Sequence, residues 1–282
     1  MDAVTLAATM AMLGSAAAHS GMTLLTKQAE DKLVFRGLTL AFVGLAFLPW
    51  LITQPLPPWE VWRFLLAGTV VIWAYNMLMI AAFSHGEMNL AYPVMRGSAP
   101  ALAALAAFVF LEEAVSAGQL AGLAIACAAL IGFAWPERDG KPKVKVLLLA
   151  LAAASMTAAY TVIDASGVRE SGRILVYLGW FFVLSIVTIL PTAILRRGRA
   201  FWPAAKREAR PALYSTIFNA STYGLALFAY ASAPVAPMAA LRELSIVFGA
   251  VLAALVLKEP FGLRRTVLAI CLATGLVLLQ VM

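Results

Sequence analysis

The chain is 282 residues long, 63% apolar and 12% charged, against about 45–50% and about 25% in ordinary soluble domains, which excludes a water-soluble globule, a disordered chain and a coiled coil. A formal charge of +7 with no folded basic domain to present it excludes a nucleic-acid partner. Two cysteines and two histidines provide no disulfide framework, no metal cluster and no set of cofactor ligands.

A helix needs about 20 apolar residues to cross the roughly 30 Å hydrocarbon core of a bilayer. Apolar runs of that length fall at 3–25, 33–52, 62–84, 90–111, 116–135, 144–164, 173–195, 211–232, 235–257 and 263–281. They are continuously apolar instead of alternating, so they predict helices and not barrel strands. The first run lacks a basic segment before it and is long enough to remain a span. The tight links SHGEMN (84–89) and ASAPVA (231–236) predict antiparallel hairpins. The expected fold is therefore all-α and integral to the membrane, with ten transmembrane helices.

Lys and Arg divide unevenly between the two sides. Lys27, Lys32, Arg36, Arg138, Lys141, Lys143, Lys145, Arg196, Arg197, Arg199, Lys206, Arg207, Arg210, Lys258, Arg264 and Arg265 fall in loops on one side; Arg63, Arg169 and Arg173 fall on the other. Arg96 and Arg242 lie inside spans. The positive-inside rule makes the richer side cytoplasmic and, with ten spans, puts both termini outside the cytoplasm.

The two halves of the chain echo each other. A shift of 146 residues superposes Arg96 on Arg242, Glu113 on Glu259, Tyr75 on Ser221 and Asn76 on Thr222. Shifts of 141 and 142 superpose His19 on Tyr160 and Pro49 on Pro191. Two five-span units are expected, 1–140 and 141–282. Because five is odd, the second unit starts on the opposite side of the membrane and the repeat is inverted.

The segments AYPVMRGSAPALAALAAFVFLEE (91–113) and APMAALRELSIVFGAVLAALVLKE (236–259), each followed by a span with a glycine near its end (Gly132, Gly275), resemble the EamA repeats of the drug/metabolite transporter superfamily. The resemblance covers essentially the whole chain. It implies a secondary transporter of the bacterial inner membrane, most often an exporter of amino acids, metabolites or amphipathic drugs, with a cavity between the halves lined by spans 1, 3, 4, 6, 8 and 9. It also implies cytoplasmic termini, opposite to the charge count. The small multidrug-resistance relatives carry a glutamate in span 1, and this chain has no acid there.

Ionisable groups inside spans are costly and default to functional roles. Arg96 and Arg242 each lie about seven residues, roughly 10 Å, into a span. Their guanidinium groups suit an anionic or zwitterionic substrate, or else clamp a neighbouring helix. Glu243 is a candidate for ion coupling, or pairs with Arg96 or Arg242; His19 is a second coupling candidate, or a hydrogen-bonded core group. Trp73, Tyr75, Asn76, Tyr92, Tyr160, Thr222 and Tyr223 lie at depths suited to substrate contact, while Asp164 is expected at the interface. Pro93, Pro100 and Pro237 free backbone carbonyls and are candidate gating points. Gly118 and Gly122 in span 5, with Ala269 and Ala273 in span 10, form small-residue pairs expected to make a static seam or a dimer contact. No GxxxxGK[ST] loop is present, so ATP is not the energy source within the chain. No enzyme activity, cofactor or metal is expected. The expected partners are a small-molecule substrate and the lipid bilayer, with the protein a monomer or weak homodimer. A channel or a structural membrane subunit is the alternative.

Overall fold

A computed structural model describes residues 3–88, 90–92, 94–95, 97–99, 102, 116–134, 144–233, 238, 241–242, 244–258 and 263–281. The described residues form α1 (Ala3–Gln28), α2 (Lys32–Leu51), α3 (Trp59–His85), α4 (Ala117–Ala134), α5 (Val144–Ser171), α6 (Ile174–Arg197), a 3₁₀ turn (Gly198–Ala200), α7 (Phe201–Ser232), α8 (Ser245–Leu255) and α9 (Leu263–Val281). Among the described residues five stretches are long and apolar enough to cross a membrane: α1, α2, α3, α5 and the continuous Ile174–Ser232, which holds both α6 and α7. The expected span at 90–111 falls largely outside the described residues, and that at 235–257 is described mainly from 244 onward, where it holds α8.

Local chemistry sets the helix ends. Asp31 caps α2 by accepting the Val34 N–H at 3.2 Å. Gly172 (φ +59°) ends α5, with its N–H bonded back to Val168 O at 3.2 Å, and Gly198 (φ +51°) ends α6. α7 starts ten residues before its expected apolar span, at Phe201. Its first three turns carry Lys206, Arg207, Glu208 and Arg210; Pro203 falls in the first turn, where a missing N–H costs nothing. These charges stand on a helical extension and not in the loop expected between spans 7 and 8.

Helix packing occurs in mated pairs. α1 lies along α7 and α3 along α5; α2 against α7 is mirrored by α3 against α6; α2–α6 and α4–α9 pair with each other. Gly14 meets Leu225, Ser15 Oγ donates to Thr222 O at 2.7 Å, and Gly21 meets Phe218, so α1 and α7 run antiparallel. Gly68 beside Asp164 and Gly86 beside Val146 define the antiparallel register of α3 and α5. Moving Ser15 forward by 141 and Thr222 back by 146, the shifts found in the sequence, gives Met156 and Asn76. That pair falls on the α3–α5 register.

Two seams need glycine. A Cβ on Gly44 of α2 would stand 2.9 Å from Phe182 O, and one on Gly275 of α9 would stand 2.7 Å from Gly122 O and 2.8 Å from Ala126 N. Both helix pairs therefore approach backbone to backbone, where dispersion contacts are densest. Outward positions are large and apolar, among them Val70, Leu148, Val162, Val187 and Ile217, as a lipid-facing surface requires.

Polar side chains gather at the two ends. At one end Arg197 pairs with both carboxylate oxygens of Asp31, Arg207 with Glu30 at 3.5 Å, Lys145 with His85 at 2.8 Å, and Lys27 donates to Phe83 O and Gly86 O. At the other, Arg173 donates to Gln54 at 2.6 Å and Arg169 to Tyr230 O and Ala233 O. The α1–α2 and α6–α7 links, the end of α3 and the start of α5 thus share a basic end. Arg36 is the exception: it was counted with the loops, but sits in α2 only 3% exposed.

Candidate functional site

Between the two ends lies a cluster of aromatic rings. Tyr75 of α3 meets Tyr160 of α5 edge-on at 5.5 Å; Tyr160 lies 6.3 Å from Tyr223 of α7; Tyr223 stacks on Phe181 of α6 at 4.4 Å and meets Phe182 at 5.9 Å. Four helices, drawn from both halves, each contribute a ring. Edge-on and stacked geometries suit the ring quadrupoles.

A buried arginine flanks the rings on either side. Arg242 is 3% exposed and donates from Nη1 to Tyr230 Oη at 3.4 Å and from Nη2 to Tyr160 Oη at 3.3 Å. Its guanidinium also lies 5.5 Å from the Tyr160 ring centre, a cation–π distance. Arg36 donates from Nε to Asn76 Oδ1 at 2.9 Å, and the Asn76 amide is oriented by its own donation to Ile72 O at 2.7 Å. Tyr75 and Tyr223 stand within electrostatic reach of Arg36. Arg36 enters from the basic end of α2, while Tyr160 and Tyr230 place Arg242 toward the opposite end.

Asp164, expected at the interface, is instead 3% exposed and accepts from Tyr177 Oη at 3.1 Å. The reason is that α5 continues to Ser171, so Asp164 is two turns inside the helix. Gly167 provides the space: a Cβ there would lie 2.5 Å from the Tyr177 hydroxyl.

Several buried polar atoms around this region have no partner. They are Arg36 Nη1, the Tyr223 hydroxyl, both side-chain polar atoms of Asn219, the Thr222 and Ser215 hydroxyls and the Trp180 indole N–H. Ser215, Asn219 and Thr222 follow the helical repeat on one face of α7. Unsatisfied buried polar groups are rare in folded proteins, and each is costly. Arg36 Nη1 and the Tyr223 hydroxyl, both at the ring cluster, are hydrogen-bonding groups that a polar ligand group would satisfy. Among the described residues no three His, Cys, Asp or Glu side chains gather as metal ligands would.

The residues singled out in the sequence separate into groups. Arg242, Tyr75, Asn76, Tyr160 and Tyr223 converge on the ring cluster, with Thr222 on the same helix as Tyr223. Tyr92 belongs elsewhere: it stacks on His19 at 6.1 Å, lies 3.4 Å from Ser20 Oγ and packs over Gly249 of α8. Trp73 donates to Thr192 of α6 at 3.0 Å and ties two helices. Arg96, Glu243, Pro93, Pro100 and Pro237 lie outside the described residues. Sequence reading missed Arg36 and Asp164 because both stand near span ends, where long or charged side chains ordinarily reach the interface.

Apolar helices of spanning length, with most charges at the two ends and Arg36, Asp164 and Arg242 buried between them, define a multi-pass integral membrane protein. The EamA-like transporter family matches residues 6–135 and 144–281, and the chain belongs to that family. The two matched segments are successive EamA repeats. The family belongs to the drug/metabolite transporter superfamily and is one of transporters, not enzymes. A crystal structure described only as that of a protein is similar to this fold, with a TM-score of 0.63 at 14% identity and 98% of each chain covered. No curated protein matches the chain.

Proposed function

We propose that the protein is a secondary carrier that exports small organic solutes, such as amino acids, metabolites or amphipathic drugs, across a bacterial inner membrane. Residues 1–140 and 141–282 are its two inverted five-helix halves, ten spans in all, and they rock about the chamber between them. The carrying observation is the Tyr75–Tyr160–Tyr223 cluster flanked by Arg36 and Arg242, with unpartnered polar atoms around it. The mated helix pairs and the shared α1–α7 and α3–α5 registers support the two-half arrangement. The charge bias supports termini outside the cytoplasm, with the protein a monomer or weak homodimer.

In this reading Arg242, Arg96, Tyr75, Asn76, Tyr160, Thr222 and Tyr223 contact the solute in the occupied chamber, with Tyr92 and Trp73 around it. Glu243 and His19 couple transport to an ion, and Pro93, Pro100 and Pro237 are the points at which helices bend. His19 is 3% exposed, and the α1–α7 register puts it level with Asn219, so its charge state would act inside the protein and not at its surface.

Reconstituted protein tests the reading. Vesicles preloaded with an unlabelled solute should show transient overshoot of the labelled solute, and Arg242→Ala should reduce that rate at least tenfold. Flux without overshoot would identify a channel; absence of flux for every solute class named would remove the carrier assignment.

A further inference from the structure

Arg36 occupies an unusual position for an arginine in a membrane helix. It is the fifth residue of α2, about 6 Å from the end of the helix that carries the basic loops. A side chain of its length at that depth can extend to the interface and keep its charge in water. It turns inward instead and is 3% exposed.

Its inward geometry is fixed and its charge is not balanced. Asn76 is 0% exposed, is tied to Ile72 O, and therefore presents Oδ1 to Arg36 Nε as a fixed acceptor. That bond uses one donor of the planar guanidinium and leaves Nη1 buried with no acceptor. Among the described residues no carboxylate pairs with Arg36. The groups in its electrostatic reach, Tyr75 and Tyr223, are phenols, and the Tyr223 hydroxyl likewise has no partner. Arg242 differs: two tyrosine hydroxyls, a tyrosine face and the field of Asp164 compensate its charge. A desolvated guanidinium without a counter-charge is costly. Its natural complement is a carboxylate, which accepts from a guanidinium in two parallel bonds.

We propose that Arg36 is the residue that recognises the transported solute, and that the solute is a small organic carboxylate. Its carboxylate binds Arg36 Nη1 and the Tyr223 hydroxyl, and its uncharged body lies along the Tyr223–Phe181 ring stack. Asn76 is a positioning residue that aims the guanidinium. The proposal rests on the carrier reading above and narrows its substrate class.

Matched probes test it on purified full-length protein: phenylacetate against phenylacetamide, hexanoate against hexanamide, and phenylalanine against phenylalaninamide. In at least one pair the carboxylate should raise the unfolding temperature at a concentration tenfold or more below that of its amide. Arg36→Gln should remove the preference, and Arg36→Lys should restore part of it because the charge returns without the planar fork. Equal action of acid and amide in every pair, no stabilisation by any carboxylate, or a preference that survives Arg36→Gln would overturn the proposal. The wild-type comparison needs no variant to fold. Counterflow of the same solutes separates the two levels: carboxylate binding without counterflow would leave the anion site standing and remove the carrier, whereas counterflow of uncharged solutes only would do the reverse.

Discussion

Asp164 shows what a single buried charge demands of its surroundings. The carboxylate is held by one tyrosine hydroxyl at 3.1 Å, and that tyrosine fits only because residue 167 lacks a side chain. Hydrogen bonds between membrane helices contribute about 0.6 kcal/mol on average, but bonds to charged groups reach about 1.5–3 kcal/mol. Tyr177→Phe strands a buried acid and is expected to destabilise the protein by about 1–3 kcal/mol. Asp164→Asn keeps an acceptor and should cost less. Unfolding in detergent checks the order, and equal stability of both variants would contradict it. The sequence showed how deep Asp164 and Arg36 lie along their helices to within a few residues. It did not show in which direction their side chains turn, because an arginine or aspartate near a span end has an interface within reach and only packing decides whether it uses it. Tyr75, Asn76 and Tyr223 were legible for the opposite reason: at mid-span no interface is within reach.

Helices in this protein are matched by small residues at their crossings and fastened by charges at their ends. Gly44 brings α2 against the Phe182 carbonyl, so Gly44→Leu inserts a branched side chain where a single Cβ already lies 2.9 Å from backbone oxygen. Overpacking of this kind costs about 1–3 kcal/mol, and the variant should lose thermal stability by that amount. An unchanged melting profile would mean that α2 and α6 are not so closely packed. Gly122, expected in a static seam or a dimer contact, lies in the α4–α9 contact with Gly275; Gly44 was not singled out, because no small residue stands four positions away to complete the familiar pattern. At the basic end, partial burial works to raise the Asp31 pKa, but the Arg197 hydrogen bonds and charge and the Val34 N–H together hold it below the ordinary 3.8. A depressed carboxylate stabilises the folded state above its unfolded pKa and loses that contribution as pH falls through the folded value. The Asp31–Arg197 coupling, under about 1 kcal/mol for so exposed an arginine, should therefore be full at pH 7 and be lost as the pH falls through the depressed folded value, below the ordinary 3.8. A double-mutant cycle with Asp31→Asn and Arg197→Gln measures it; coupling unchanged by acid would contradict the pairing.

For the molecule as a whole, the repeat was the most legible feature. Shifts between matching residues, found without coordinates, also relate the helix registers, because the same sequence pattern imposes the same packing twice. Orientation is less determined: loop arginines and lysines favour one insertion and family habit the other, and a pseudo-symmetric body fits the bilayer either way up. The carrier reading requires that the chamber open to one side at a time. Ser215, buried on α7 toward the basic end, and Thr69, 6% exposed on α3 toward the other, are small polar positions suited to single cysteines in a chain freed of Cys127 and Cys271. The decisive measurement is the labelling rate of each cysteine by a membrane-impermeant maleimide with and without transported solute. Alternating access predicts opposite changes at the two positions; a parallel rise at both, as in an open pore, or no response at either would contradict the account.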